Sequence, residues 1–161
     1  MEYETIWLAE QEGVPNNPRL PVLIYREAFE ARRAEAAEAL FAGHGWPPAW
    51  RDGIYGHVHF HTTAHEALAI IEGEVLLQLG GEGTVPQRLQ AGDVVVLPAG
   101  TGHKCLLASE DLLVVGAYPE GQRPDEQRAE PGQAAAARAR IARLPDPPAC
   151  PVTGQPYRRR P

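Results

Sequence analysis

The stretch Gly53–Gly73, GIYGHVHFHTTAHEALAIIEG, decides how this chain is read. Residues two apart in an extended strand point to the same side, so Tyr55, His57, His59 and His61 would share one face. Neighbouring imidazoles on such a row suit chelation of a single metal ion. Thr62, Thr63, Ala64 and His65 have the composition of a bend, and residues 66–71 read as the next strand, stopped by Glu72 and Gly73. Folding back in this way brings the Glu66 carboxylate beside His59 and His61. A second stretch from Gly92 to His103, GDVVVLPAGTGH, is an apolar strand, a Pro/Gly turn and a histidine at a strand start. It offers His103 as a fourth ligand.

Gly53, His59, His61, Glu66 and Gly73 occupy every named position of the pattern G-x5-H-x-H-x4-E-x6-G. Gly92, Pro98, Gly100 and His103 fit G-x5-P-x-G-x2-H-x3-N, with Leu107 in place of the final Asn. These are the two motifs of the cupins, and the chain resembles that family. The motif's Asn is not a ligand in cupins, so the departure bears on pocket polarity rather than on the metal. The runs NNPRLPVLIY, GWPPAWRDGIY, HFHTTAHEALAIIEGE and VVGAYPEG extend the likeness over most of the chain, to the YjlB-type bacterial monocupins. The resemblance implies an all-β fold, a cupin jelly-roll barrel, with subunits that commonly pair and a reaction that is not assigned.

Only 6 of 161 residues are histidine, so three of them landing on named motif positions argues against an accidental cluster. The length suits one domain, residues 1–161, with a barrel core over about 50–118, N-terminal strands and a helix over 1–49, and a C-terminal helix and tail over 119–161. A net charge of −6 argues against a nucleic-acid partner, whose phosphates need a basic face, and none is expected. The acidic N-terminus MEYETIWLAEQEG lacks the features of a signal peptide, and no apolar run reaches membrane-spanning length. A cytoplasmic protein with no membrane partner is expected. Cys105 and Cys150 are too few for a disulfide framework.

Taken in order, residues 5–8 and 20–25 read as strands separated by a turn at Pro15–Pro18. The Ala/Glu/Arg-rich segment 27–41 predicts an amphipathic helix, with Phe29, Ala36, Leu40 and Phe41 on its apolar stripe and Gly43 as its stop. His44–Trp50, broken by Pro47 and Pro48, predicts an ordered loop whose Trp46 and Trp50 fill the barrel rim or cover the pocket. Residues 74–79 read as a strand ending in a hairpin tip at Gly80–Gly83, and residues 105–108 continue the strand from His103. Another apolar strand spans 111–118. The strand 66–71 is apolar on both faces, with Leu68 and Ile70 inward and Ala67, Ala69 and Ile71 outward. Such a strand must be covered on both sides, by a sheet, the N-terminal helix or a second subunit, and a homodimer is expected to bury part of it. Residues 126–144 contain a second helix, clearest over 133–143. A proline-rich tail from Pro145 is expected to wrap the surface or fray, ending in Arg158–Arg159–Arg160.

Three neutral imidazoles and one carboxylate suit Fe, Mn, Ni, Cu or Zn as a divalent ion and leave positions open for water or a small organic substrate. Tyr55 and His57, on the inward parity, are candidates for acid/base or orienting roles. His65 adjoins Glu66 and is expected behind the ligands or at the surface, unless the bend slips by one residue. Cys105 shares the parity of His103 and is expected to act as apolar filler. These residues point to a metal-dependent enzyme such as an oxygenase or isomerase; the alternative is a cupin that binds or senses a small molecule without turnover.

Overall fold

The two-faced strand Glu66–Glu72 lies within a six-stranded sheet, where its Leu68 and Ile70 face one apolar cluster and its Ala67, Ala69 and Ile71 face another. The computed structural model describes residues 2–157. In chain order its elements are β1 (Tyr3–Ile6), β2 (Val22–Tyr25), α1 (Ala34–Ala42), β3 (Pro48–Asp52), β4 (His59–Phe60), β5 (Glu66–Glu72) and β6 (Glu74–Leu79). There follow β7 (Gln87–Gln90), β8 (Val94–Leu97), β9 (His103–Ala108), β10 (Leu113–Ala117), β11 (Gln127–Arg128) and α2 (Ala134–Arg143). One sheet has the order β1-β2-β8-β5-β10-β3 and the other β11-β4-β9-β6-β7, and all pairings are antiparallel.

Period-two alternation sorts the side chains of the larger sheet into two layers. Val22, Ile24, Leu68, Ile70, Val95 and Val114 point between the sheets, against Val75, Leu77 and Leu79 of β6. Their neighbours Leu23, Tyr25, Ala67, Ala69, Val94 and Val115 point outward. That outer layer is covered by Ala34, Ala37 and Phe41 of α1, by Trp46, and by Cys150, Val152 and Tyr157 of the C-terminal segment. Of the covers expected for this face, the N-terminal helix is present, joined by the C-terminal segment.

The first helix is shorter than the Ala/Glu/Arg composition predicts. Glu27 and Arg32 hold φ of 50° and 68°, outside the helical region, while Ala28 N donates to the Gly92 carbonyl and Arg32 N to the Ile71 carbonyl. Those bonds to the sheet replace a helical turn, and α1 begins only at Ala34. Its buried face is Ala34, Ala37 and Phe41; of the predicted stripe Phe41 is fully buried, and Phe29 and Leu40 lie at the edge of the cluster.

The expected loop 44–50 becomes in part an edge strand. Pro48 opens β3 at the sheet margin, where a missing N–H costs no ladder bond. Trp46 is fully buried, with its indole N–H donating to the Ala149 carbonyl at 2.8 Å. The tail, expected to wrap or fray, packs: the Tyr157 hydroxyl donates to the Pro21 carbonyl at 2.6 Å and Tyr25 Oη lies 3.2 Å from Cys150 Sγ. Arg158–Arg160 fall outside the described residues. No helix among the described residues is long and apolar enough to cross a membrane.

Two features set the turn that delivers His103. Gly100 has φ 92°, and a Cβ there would meet the Asn16 carbonyl oxygen at 2.7 Å. Asn16, 1% exposed, donates to the carbonyls of Ala9 (2.8 Å) and Gly80 (3.1 Å) and accepts from Gly102 N (3.0 Å). The N-terminal loop is thereby pinned beneath the start of β9.

Candidate metal centre

The strand predicted through Tyr55–His61 is reduced to His59–Phe60, yet its register brings the histidines together. His59 on β4 pairs directly with His103 at the start of β9, their ring centroids 4.0 Å apart. His61 follows β4 and Glu66 opens β5. His59, His61 and His103 each offer one nitrogen, all within 4.8 Å of one another, a group able to hold a metal ion. Glu66 Oε1 lies 3.3 Å from His61 Nε2 and 3.2 Å from His103 Nε2.

The other ring nitrogens are occupied. Nδ1 of His59 lies 3.1 Å from the His57 carbonyl, that of His61 2.5 Å from the Asp125 carbonyl, and that of His103 2.9 Å from the Thr101 carbonyl. A carbonyl only accepts, so each Nδ1 carries the proton and each Nε2 is left for another partner. Glu66 is 3% exposed, and its Oε1 makes no well-formed hydrogen bond despite the short distances to the two imidazoles. A buried oxygen so placed, facing imidazole Nε2 atoms, fits a divalent cation.

The electrostatics follow from burial and proximity. Burial, with smaller contributions from His103 and His61, pushes His59 down to about 3, so this ring is neutral. Burial also opposes charge on His61, but the Glu66 carboxylate outweighs it and raises His61 to about 9. For Glu66 burial favours the acid, and the His103 and His61 side chains prevail, holding the carboxyl well below its usual range. Metal-free, the site is therefore a carboxylate beside an imidazolium.

These groups form the inner end of a cavity of about 230 Å³. Its apolar and aromatic walls are Trp50, Ile54, Tyr55, Leu68 and Tyr118, and Asp52 and Glu126 also line it. The Trp50 indole N–H donates to the Tyr118 hydroxyl at 2.9 Å. Burial and then Glu66 push the Tyr118 phenol up, so it stays protonated.

Of the residues singled out from sequence, Tyr55 lines this cavity at 53% exposure, while His57 is not among its walls. His57 stacks on Tyr55, ring centroids 5.1 Å apart, and its buried Nε2 has no hydrogen bond. His65 is buried; its Nε2 donates to the Pro145 carbonyl at 2.9 Å and its Nδ1 accepts from Ala99 N at 2.9 Å. With both nitrogens committed it braces the wall behind Glu66. Cys105 packs against the inner cluster and does not line the cavity. Trp50 lines the cavity, whereas Trp46 fills the core.

Sequence reasoning passed over Asp125, Tyr118, Asp52 and Glu126. Asp125 holds the bend after His61: its carboxylate accepts from Thr62 N (2.6 Å), Thr62 Oγ1 (2.5 Å) and Thr63 N (3.2 Å). The nearby strand β11 pairs with β4, Gln127 with Phe60 and Arg128 with His59. Two residues of strand carry no periodicity, so nothing local announces this clasp.

The cupin-domain family model matches residues 51–115. The Uncharacterized protein YjlB of Bacillus subtilis (strain 168) is 33% identical over 154 residues, covering 96% of this chain and 92% of that protein. A solved structure of Bacillus subtilis oxalate decarboxylase, studied for its Mn(II) centres, superposes with TM-score 0.39 and 17% identity, over 73% of this chain and 30% of that one. The chain spans less than a third of that enzyme, and so distant a likeness says nothing about the reaction here. Near-complete alignment at one-third identity, with the family model across both histidine motifs, makes the chain a member of the cupins, of the YjlB-like kind.

Proposed function

We propose that this cupin is a metal-dependent enzyme acting on a small organic molecule, with His59, His61, His103 and Glu66 as ligands of one divalent transition ion. The observation that supports it most directly is the arrangement at Glu66: a fully buried carboxylate oxygen without a well-formed hydrogen bond, facing two imidazole Nε2 atoms at 3.2–3.3 Å. A structural metal site is closed, whereas this one opens onto a cavity. The ion would supply Lewis acidity, and redox chemistry if it is iron, manganese or copper.

The chain's own residues set the conditions for that chemistry. Backbone carbonyls on each Nδ1 hold the rings in one orientation. Leu68 and Ile54 keep the inner wall apolar, and Tyr118, held by Trp50, is a neutral hydrogen-bond donor beside the ligands.

The test is elemental analysis of untagged protein, wild type and His61→Ala, followed by turnover assays on the metallated wild type. Near-stoichiometric metal, lost in the variant, is expected, together with a turnover that disappears with it. Full metallation without product across a broad panel would instead favour a cupin that captures a small molecule.

A further inference from the structure

Among the described residues the cavity's walls hold no lysine or arginine, yet they include two carboxylates besides Glu66. Asp52 and Glu126 are exposed, and neither takes part in an ion pair among the described residues. Asp52 accepts only the neighbouring Gly53 N–H, at 2.8 Å. Arg51, next to Asp52 in sequence, pairs with Glu38 and Glu35, and neither Arg123 nor Arg128, the arginines nearest Glu126 in sequence, lines the cavity. Deeper in, the buried Glu66 Oε1, which makes no well-formed hydrogen bond, and the imidazole nitrogens mark where a ligand's coordinating atom would arrive. A divalent ion with one carboxylate has a net charge of about +1. Asp52 and Glu126 more than cancel it, so the occupied cavity is negative overall.

The walls add aromatic surface. Trp50, Tyr55 and Tyr118 all face the cavity. The negative faces of such rings attract organic cations, and carboxylates beside them strengthen the attraction. An anionic substrate would meet two like charges with no guanidinium or ammonium among the described wall residues to offset them.

We infer that the cavity takes a small amine-bearing molecule, with an oxygen or similar donor at the His/Glu end and an ammonium group recognised by Asp52, Glu126 and the Trp50 and Tyr55 rings. This rests on the function proposed above only in placing a metal at the inner end. The charge preference of the outer walls stands on Asp52, Glu126 and the aromatic rings, independently of the metal. A volume of about 230 Å³ suits molecules up to the size of a substituted benzene ring with a short side chain.

The experiment is calorimetric titration of metal-loaded protein with tyramine, 4-ethylphenol and 4-hydroxyphenylacetate, which share a phenol and differ in charge at the other end. Metal content is measured on the same samples. Tyramine should bind tightest and the carboxylate weakest, about tenfold or more apart, as expected for like and unlike charges at partly exposed sites. The spread should collapse in Asp52→Asn/Glu126→Gln, whose substitutions are at exposed positions and leave the fold intact. Undetectable tyramine binding, equal or tighter binding of the carboxylate, or a preference that survives in the double variant overturns the inference. Full metal content with no amine preference counts against this inference alone. An amine preference in protein that cannot be metallated supports it and counts against the metal assignment.

Discussion

His61 donates from Nδ1 to the backbone carbonyl of Asp125, 64 residues further along the chain, at 2.5 Å. The same residue's carboxylate gathers the amides and hydroxyls of Thr62 and Thr63, so one aspartate fixes both the tautomer of His61 and the bend that carries it. Asp125→Ala should leave the barrel folded and weaken metal affinity by roughly 10–100-fold, the usual effect of losing the support behind a ligand. Titration against a competing chelator measures this, and an unchanged affinity would remove Asp125 from the site.

Tyr118 accepts from the Trp50 indole, which leaves its own O–H to donate. Tyr118→Phe should keep full metal content while weakening 4-ethylphenol binding roughly threefold to tenfold, the worth of one neutral hydrogen bond of about 1 kcal/mol. Loss of metal in this variant would show that the phenol supports the ligands instead.

The Trp50 ring lies directly on Gly116 of β10, where an added Cβ would overlap the indole. Gly116→Ala should destabilise the protein by about 1–3 kcal/mol and displace Trp50, weakening the phenol probe as Tyr118→Phe does. Chemical denaturation and the same titration read both effects. Wild-type stability together with wild-type probe affinity would contradict this packing.

In the metal-free protein Glu66 raises His61 to about 9, against burial, so at pH 7.5 this ring holds a proton that metal binding must expel. Metal uptake should release about one proton at that pH, and the release should fade above pH 9. The sign is set by linkage: a raised folded value stabilises the metal-free fold fully below pH 6.5, and that contribution is lost as pH rises through 9. His59, held at about 3 by burial and then His103, acts in the opposite sense, costing stability as pH falls from 6.5 towards 3. Calorimetry in buffers of different ionisation enthalpy counts the protons, and zero release at pH 7.5 would refute the His61–Glu66 pair.

Cys150, Val152 and Tyr157 cover the outward face of Ala67, Ala69 and Ile71. A chain ending at Asp146 should melt far lower and self-associate through the uncovered face, since an apolar sheet face left open seeks another surface. Thermal denaturation with sedimentation tests it. An equally stable monomer would show that the tail contributes no cover.

Much of the barrel was legible in the sequence because its information is local. Continuous apolar runs over residues 22–25, 67–71 and 94–97 mark buried strands, and the two motifs single out His59, His61, Glu66 and His103 as candidate ligands. The N-terminal helix was one of the covers the sequence offered for the second face, but the share taken by Cys150, Val152 and Tyr157 was not legible, because it depends on contacts with residues far away in the chain. The helix starting at Ala34 rather than Glu27 is decided by hydrogen bonds from Ala28 and Arg32 to distant carbonyls, which no propensity encodes. Tyr118, Asp125, Asp52 and Glu126 became site residues for the same reason. Periodicity and motif spacing determined the strands and the candidate ligands, since both depend on neighbours in the chain; the orientation of His61, the packing of α1 and the tail on the sheet and the lining of the cavity arise between segments far apart, and only the tertiary structure decides them.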